Sequence, residues 1–296
     1  MNKQDLSALV AEILGELGQE PPVKGSDYKP TVPGPKPAVA AQEDGFVEDV
    51  TKLDLRRLYL TEDPLKREEY ARVKSRTPAR LGSGRAGPRS KTLTMLRFRA
   101  DHAAAQDAVF AQVPEEFPEK LGLIPLQTQC QCKDEYLTRP DRGRLLNEDS
   151  RQRLKGLGNP RVLIVVGDGL SSAAVMENAP NCMAAIRDGL KAAGIETGPG
   201  LFVRYCRVGA GDDIGSMTGC ELVCMLVGER QGLVTDKSMS AYITYKPRNG
   251  IPEASRTVVS NIHAQGTPAV EAGAHIAELI KTILEKKVSG VALRQN

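Results

Sequence analysis

Apolar residues recur at helical spacing near the start of the chain. Leu6, Leu9, Val10, Ile13, Leu14 and Leu17 line one face and polar residues fill the other, which predicts one short amphipathic helix over residues 1–19. Residues 20–45 break the pattern. Prolines at 21, 22, 30, 33, 35 and 37 leave almost no apolar periodicity, and the stretch reads as an extended, flexible linker. A tethered helix with an apolar stripe either folds back on its own domain or lays the stripe in a partner's groove, and the long linker favours the partner. Residues 46–120 are charged, with helices predicted over 63–73 and 92–109; Leu93, Leu96, Ala100, Ala103 and Ala104 of the second point toward a core. Residues 120–142 read as loop with a short strand at 121–124, just before Pro125.

From residue 121 to 296 the pattern is clearer. Val162–Val166 is a continuous apolar run closed by Gly167-Asp168-Gly169, then Ser171-Ser172 opens a helix and a further helix spans 181–193, ended by Gly194. Strands follow at 201–208, 221–227 and 241–245, with a short helix at 212–217. A last helix runs over 268–288, with Pro268 suited to its first turn and Gly290 to its end. Strands alternating with helices predict an α/β fold, Rossmann-like, whose mainly parallel sheet carries flanking helices and is preceded by the helical N-terminal region and the linker. Ligands of such sheets sit outside the carboxyl ends of the strands, where Gly167-Asp168-Gly169 and Gly228-Glu229-Arg230 fall.

Composition narrows the picture only a little. At 296 residues, 41% hydrophobic and 26% charged, the chain can bury a sizeable core; a net charge of +3 gives no general argument for nucleic acid or membrane, and no apolar run spans a bilayer. The first residues contain acids and lack the apolar block of a secretory signal. The six cysteines, at 130, 132, 182, 206, 220 and 224, have no zinc-like spacing with His102, His263 or His275, and read as reduced, mostly buried thiols of a cytosolic protein.

Four stretches could carry chemistry. Gly82-x-Gly84-x-x-Gly87 matches the dinucleotide fingerprint, but no hydrophobic strand delivers it, Pro78 opposes one, and no ribose-binding acid follows at the right distance. Nine basic residues and no acid lie between Arg72 and Arg99, with Phe98 the only aromatic; an RNA site and a subunit interface are both open, the interface being more economical. The GDGLSS turn, residues 167–172, could present amides and hydroxyls to an anion, or simply be a tight turn in which Asp168 bonds nearby amides and Ser171 or Ser172 caps the helix. Arg207 and Glu229, at the ends of apolar strands read as neighbours, could pair across a crevice. Asn261, His263 and Gln265 sit in a polar loop with no identifiable acidic partner, where a histidine is more often a strut. A stand-alone nucleotide-dependent enzyme therefore stays an alternative.

Several stretches together resemble the small subunit of ethanolamine ammonia-lyase: TPARLGSGRAGPRSKT, LRFRADHAAAQD, VPEEF, YLTRPDRGRLL, DGLSS, FVRYCRVGAGDDIG, LVGERQGL and SNIHAQGTPAVEAGAHI. They run from about residue 76 to the C-terminus, in order. The resemblance implies a partner, the large subunit with its (β/α)₈ barrel, which holds ethanolamine. It also implies adenosylcobalamin bound between the two subunits, and radical conversion of ethanolamine to acetaldehyde and ammonia. Cofactor contacts carried over from the family fall on Arg207, Val208 and Glu229, and on Val258, where the family has cysteine. The family resembles base-on binders; consistently, the chain has no Asp-x-His-x-x-Gly motif, since His102 directly follows Asp101. The resemblance further implies a division into the targeting helix (1–19), the linker (20–45), a basic subunit-interface region (46–120) and a cobalamin-binding domain (121–296). Arg80, Arg85 and Arg89 are expected to meet acidic or carbonyl groups of the large subunit. The N-terminal helix resembles peptides that deliver enzymes into bacterial microcompartments, which implies a cytoplasmic location inside one and contact with its shell or cargo, and no nucleic-acid or membrane partner.

Overall fold

The computed structural model describes residues 49–294 apart from Leu55, Asp63 and Pro78. The predicted helix of residues 1–19 and the linker of 20–45 lie outside the described residues. Asp49–Asn296 is one compact unit. Its first part holds helix α1 (Arg67–Lys74), a small hairpin of β1 (Arg85–Ala86) and β2 (Arg89–Ser90), and the long helix α2 (Thr92–Phe110). Then follow α3 (Glu116–Lys120), β3 (Ile124–Gln127), α4 (Lys133–Thr138), α5 (Glu148–Leu154), β4 (Val162–Gly167), α6 (Ser172–Ala192), β5 (Leu201–Arg204), α7 (Ala210–Thr218), β6 (Leu222–Gly228), β7 (Met239–Tyr245), β8 (Arg256–Ile262) and α8 (Ala269–Lys286).

Six strands form the main sheet in the order β3-β5-β4-β6-β7-β8. The first four run parallel, while β7 and β8 are antiparallel additions. Every residue of β4 and β6 is buried, because helices cover both faces and continuous apolar runs result. Alternate side chains divide between the faces. Val162, Ile164 and Val166 meet Ile186 and Leu190 of α6 and Ile276 and Ile280 of α8. Leu163 and Val165 meet Leu154 of α5 and Ile214 of α7.

The mainly parallel α/β sheet agrees with the sequence reading, and the departures have local causes. The first strand sits at 124–127 and contains Pro125, which an edge strand tolerates because it needs hydrogen bonds on one side only. Residues 172–192 form one continuous helix through Pro180. The lost helical bond costs about 3 kcal/mol, whereas burying Met183, Ile186 and Leu190 gains roughly 1.5–3 kcal/mol each. β5 stops at Arg204 rather than 208, since Tyr205 takes a left-handed φ of 55° and turns the chain. Part of the segment read as a polar loop is strand β8. Finally, α2 forms as predicted but does not face a core: Thr94 and Ala108 are its buried residues, while Met95, Leu96, Phe98 and Phe110 are exposed.

Candidate functional site at the carboxyl ends of the strands

The turn after β4 is a sealed joint. Asp168 is fully buried; its backbone N–H donates to the Val203 carbonyl (2.8 Å) and its carbonyl accepts from Cys206 N–H (2.8 Å). Its carboxylate accepts from the Ser172 hydroxyl (2.6 Å) and from the Val113 amide (3.4 Å). Burial pushes this carboxyl up, against the Ser172 hydrogen bond and the Lys133 charge. Lys133, also buried, donates to the Gly169 carbonyl (3.0 Å) and lies 5.2 Å from the Tyr136 ring centre; desolvation pulls its ammonium down. Ser171 caps α6, accepting from Ala174 N–H (3.0 Å) while donating to the Asp236 carbonyl (2.7 Å). Both hydroxyls of GDGLSS are thus engaged within the chain, and of the two readings the tight, self-bonded turn is the one found.

Arg207 follows β5. Its backbone N–H donates to the Gly143 carbonyl (2.9 Å), one Nη donates to the Tyr136 carbonyl (2.8 Å), and the guanidinium lies 4.7 Å from the Tyr136 ring centre. Its Nε is buried with no partner among the described residues. Val208, half-buried, comes next. Glu229 leaves β6 half-buried, and its carboxylate accepts from the Ser238 hydroxyl (2.8 Å), the Ser240 hydroxyl and the Asn261 backbone amide (3.0 Å). Gly228 brings β6 against the β4 turn so closely that a Cβ there would lie 2.1 Å from the Ser171 carbonyl.

The expected Arg207–Glu229 pair does not form. Strand β4 lies between β5 and β6, so the two strands are not neighbours, and each side chain already has its own partners. Val258 is set apart as well. It sits on the outer strand β8, 45% exposed, opposite Tyr242, which pairs on its other side with Met225. Glu229 is the fourth residue beyond Met225, about 13 Å along the strand direction at roughly 3.3 Å per residue. What β8 brings to the strand ends is Asn261, in a left-handed conformation at φ 64°. Its Oδ1 meets His263 Nε2 at 2.8 Å, and Gln265 N–H donates to His263 Nδ1 at 3.3 Å. That second bond needs an unprotonated Nδ1, so the proton sits on Nε2 and His263 is a strut. Sequence reasoning missed Tyr136, Ser238 and Ser240, which hold the two charged residues. The only signal for them was the neighbourhood of Tyr136 in YLTRPDRGRLL.

Beside this surface a cleft of 340 Å³ opens at β3 and β5, lined among others by Glu115, Gln127, Asn147, Asp149, Arg153 and Arg204. Among the described residues no group of three or more His, Cys, Asp or Glu could hold a metal ion, and no helix is long and apolar enough to cross a membrane. Five cysteines are buried and Cys132 is exposed.

The GSGRAG stretch is a hairpin and not a strand-to-helix turn. Gly82, Gly84 and Gly87 have φ of 64°, 68° and 62°, and a Cβ on Gly84 would lie 2.7 Å from the Leu60 carbonyl. Several basic residues of the 72–99 segment are spent internally. Arg80, partly exposed, pairs with Asp101 (2.5 Å) and donates to the Leu233 carbonyl (3.3 Å). Lys74 is buried, Lys91 pairs with Glu62 (2.9 Å), and Arg97 binds Asp101 (2.9 Å) and the carbonyls of Val50, Thr51 and Leu53. Arg85 and Arg89 are exposed, Arg85 donating to the Pro88 carbonyl (3.0 Å).

Residues 67–294 match the family model described as Ethanolamine ammonia-lyase light chain (EutC). The chain is 51% identical over 296 residues to the ethanolamine ammonia-lyase small subunit of Clostridium perfringens, covering 99% of this chain and 100% of that one. It is 53% identical over 298 residues to the small subunit of Clostridioides difficile, with the same shares covered. The small subunit of Listeria monocytogenes is 49% identical over 296 residues, again over 99% and 100% of the two chains.

Proposed function

The chain belongs to the ethanolamine ammonia-lyase light-chain family, the small subunit of a carbon–nitrogen lyase, and on that premise we propose that its strand ends form one wall of a cobalamin site closed by the large subunit. The observation that carries this reading is the orphaned Arg207 Nε, a buried donor at the carboxyl end of the sheet with no partner among the described residues. Glu229 supports it: its carboxylate has about four acceptor sites, and the three bonds described leave one on Oε2. A cofactor rimmed with carboxamides and a phosphate offers acceptors to Arg207 and donors to Glu229. Val208 presents a half-exposed apolar surface beside them, and Val258 is a further contact in this proposal, one that needs only apolar or backbone contact.

When bound, adenosylcobalamin supplies the radical chemistry by which ethanolamine loses ammonia. This chain's residues bind and orient. Arg207, held against the Tyr136 ring, offers an unmet donor, and Glu229, held by Ser238 and Ser240, offers an acceptor. Base-on binding is part of the proposal. Residues 121–296 carry the cofactor wall. Residues 46–120 face the large subunit through the exposed apolar side of α2, together with Arg85 and Arg89. Residues 1–19, tethered by 20–45, address the enzyme to a bacterial microcompartment in the cytoplasm; deleting them abolishes encapsulation in this reading, and unchanged encapsulation refutes that part.

The central test is titration of the purified two-subunit complex with adenosylcobalamin, with ammonia release from ethanolamine measured alongside. Arg207→Ala weakens cofactor binding in the expected result. A wild-type complex that neither binds the cofactor nor releases ammonia overturns the reading. Leu96→Glu on α2 weakens subunit pairing; unaltered pairing refutes the assignment of that face.

A further inference from the structure

The loop that leaves β6 carries a side chain that nothing above employs. Gln231 lies two residues past Glu229, and both its Oε1 and its Nε2 are buried without a hydrogen-bond partner among the described residues. An amide offers two donors and two acceptor sites, and folded proteins leave few such groups unmet because each unmet one costs stability. The other buried side-chain atom in that condition among the described residues is Arg207 Nε. Both lie just past the carboxyl ends of parallel strands, Arg207 after β5 and Gln231 after β6.

We propose that Gln231 is a further cofactor-binding residue, its amide pairing with a primary carboxamide on the rim of the corrin. The proposal rests on the cobalamin reading above. A carboxamide is the complement of an amide: its N–H meets Oε1 and its carbonyl meets Nε2, so one group relieves both orphaned atoms. A phosphate satisfies Nε2 alone, and a cation satisfies Oε1 alone. Corrin bears several such carboxamides on its periphery.

The loop backbone that carries Gln231 is tied down on both sides of it. Glu229 N–H donates to the Ser238 carbonyl (2.9 Å), the Ser171 hydroxyl ties the Asp236 carbonyl, and Arg80 ties the Leu233 carbonyl. Lys237 pairs with Glu177 of α6 (2.6 Å). Gln231 as a whole is half-buried and exposed Gly232 follows it, so a change of side-chain torsion brings the amide to the surface.

The test uses Gln231→Met, an apolar side chain of the same length, in the two-subunit complex purified without cofactor. Visible-absorbance titration with hydroxocobalamin and adenosylcobalamin is expected to show affinity lower by about tenfold, with the subunits still co-eluting. The melting temperature of the cofactor-free complex is expected to stay level or rise, because an unmet buried amide has been removed. A lower melting temperature means the amide is already bonded within the protein, and overturns the proposal. Unchanged cobalamin affinity in an intact complex also overturns it. Weakened pairing with unchanged affinity assigns Gln231 to the partner subunit instead. Failure of the wild-type complex to bind cobalamin would remove the underlying reading, a result distinct from all of these.

Discussion

Glu229 joins three segments, and truncating it measures that junction. Its Oε1 accepts from the Ser240 hydroxyl and the Asn261 backbone amide, and its Oε2 from the Ser238 hydroxyl. Glu229→Ala removes all three bonds. Hydrogen bonds to a charged acceptor contribute about 1.5–3 kcal/mol each, but the Asn261 amide is exposed and Ser238 half-buried, so water replaces much of what they lose. Ser240 is buried and stays unmet. The expected destabilisation is therefore about 3 kcal/mol, not three times the upper figure. Glu229→Gln keeps most of the junction: its oxygen still accepts from Asn261 and Ser240, and its amide donates to a Ser238 hydroxyl turned to accept. That variant costs about 1 kcal/mol. It also converts the remaining outward site from acceptor to donor, so cobalamin affinity of the complex falls about tenfold while the fold is nearly intact. Urea unfolding followed by far-UV circular dichroism reads the first quantity and cobalamin titration the second. Equal stability losses in the two variants, or a loss below about 0.5 kcal/mol for Glu229→Ala, would refute the reasoning.

Arg256 and Asp212 form a buried bidentate pair, both bonds 2.7 Å. Arg256→Met leaves the carboxylate unpaired and is expected to cost about 3–5 kcal/mol, much of it recovered in the double variant Asp212→Leu/Arg256→Met; a double variant no more stable than the single one contradicts this. Burial raises the folded-state pKa of Asp168 above its ordinary value near 4. Its contribution is then fully present below about pH 4 and is lost as pH rises through the folded pKa. Asp168→Asn therefore gains stability relative to the wild type as pH rises from 4, and parallel pH profiles of unfolding free energy would show the assignment to be wrong. Iodoacetamide at pH 8 should label Cys132 rapidly in the native chain and spare the five buried cysteines, of which Cys182 has its thiol pushed up to about 12 by burial. Peptide mass spectrometry showing early labelling at Cys206 or Cys224 would argue against that packing.

How much of this was legible depended on how local each cause is. Val162–Val166 announced itself as a doubly covered strand because the burial of both faces is written into consecutive residues. Strand β8 did not, since its edge position lets exposed Val258, Ser260 and Asn261 alternate irregularly, and its buried Arg256 makes sense only once Asp212 of α7 stands opposite. Leu96, Ala103 and Ala104, read as core-facing and found exposed, misled in the other direction. Apolar spacing signals a covered face but not what covers it, and in this chain the face is left to another molecule in our proposal.

By itself the sequence determined the periods of its strands and helices, the α/β class, and, through a series of stretches in order, the family. Chain periodicity suffices for the first two because each residue's face follows from its neighbours' geometry. Only the tertiary structure decided that β4 separates β5 from β6, that Arg207 rests on Tyr136, that Glu229 is held by Ser238 and Ser240, and that the Gln231 amide has no partner among the described residues. Those outcomes rest on strand order and on contacts between residues distant in the chain, which no local pattern encodes.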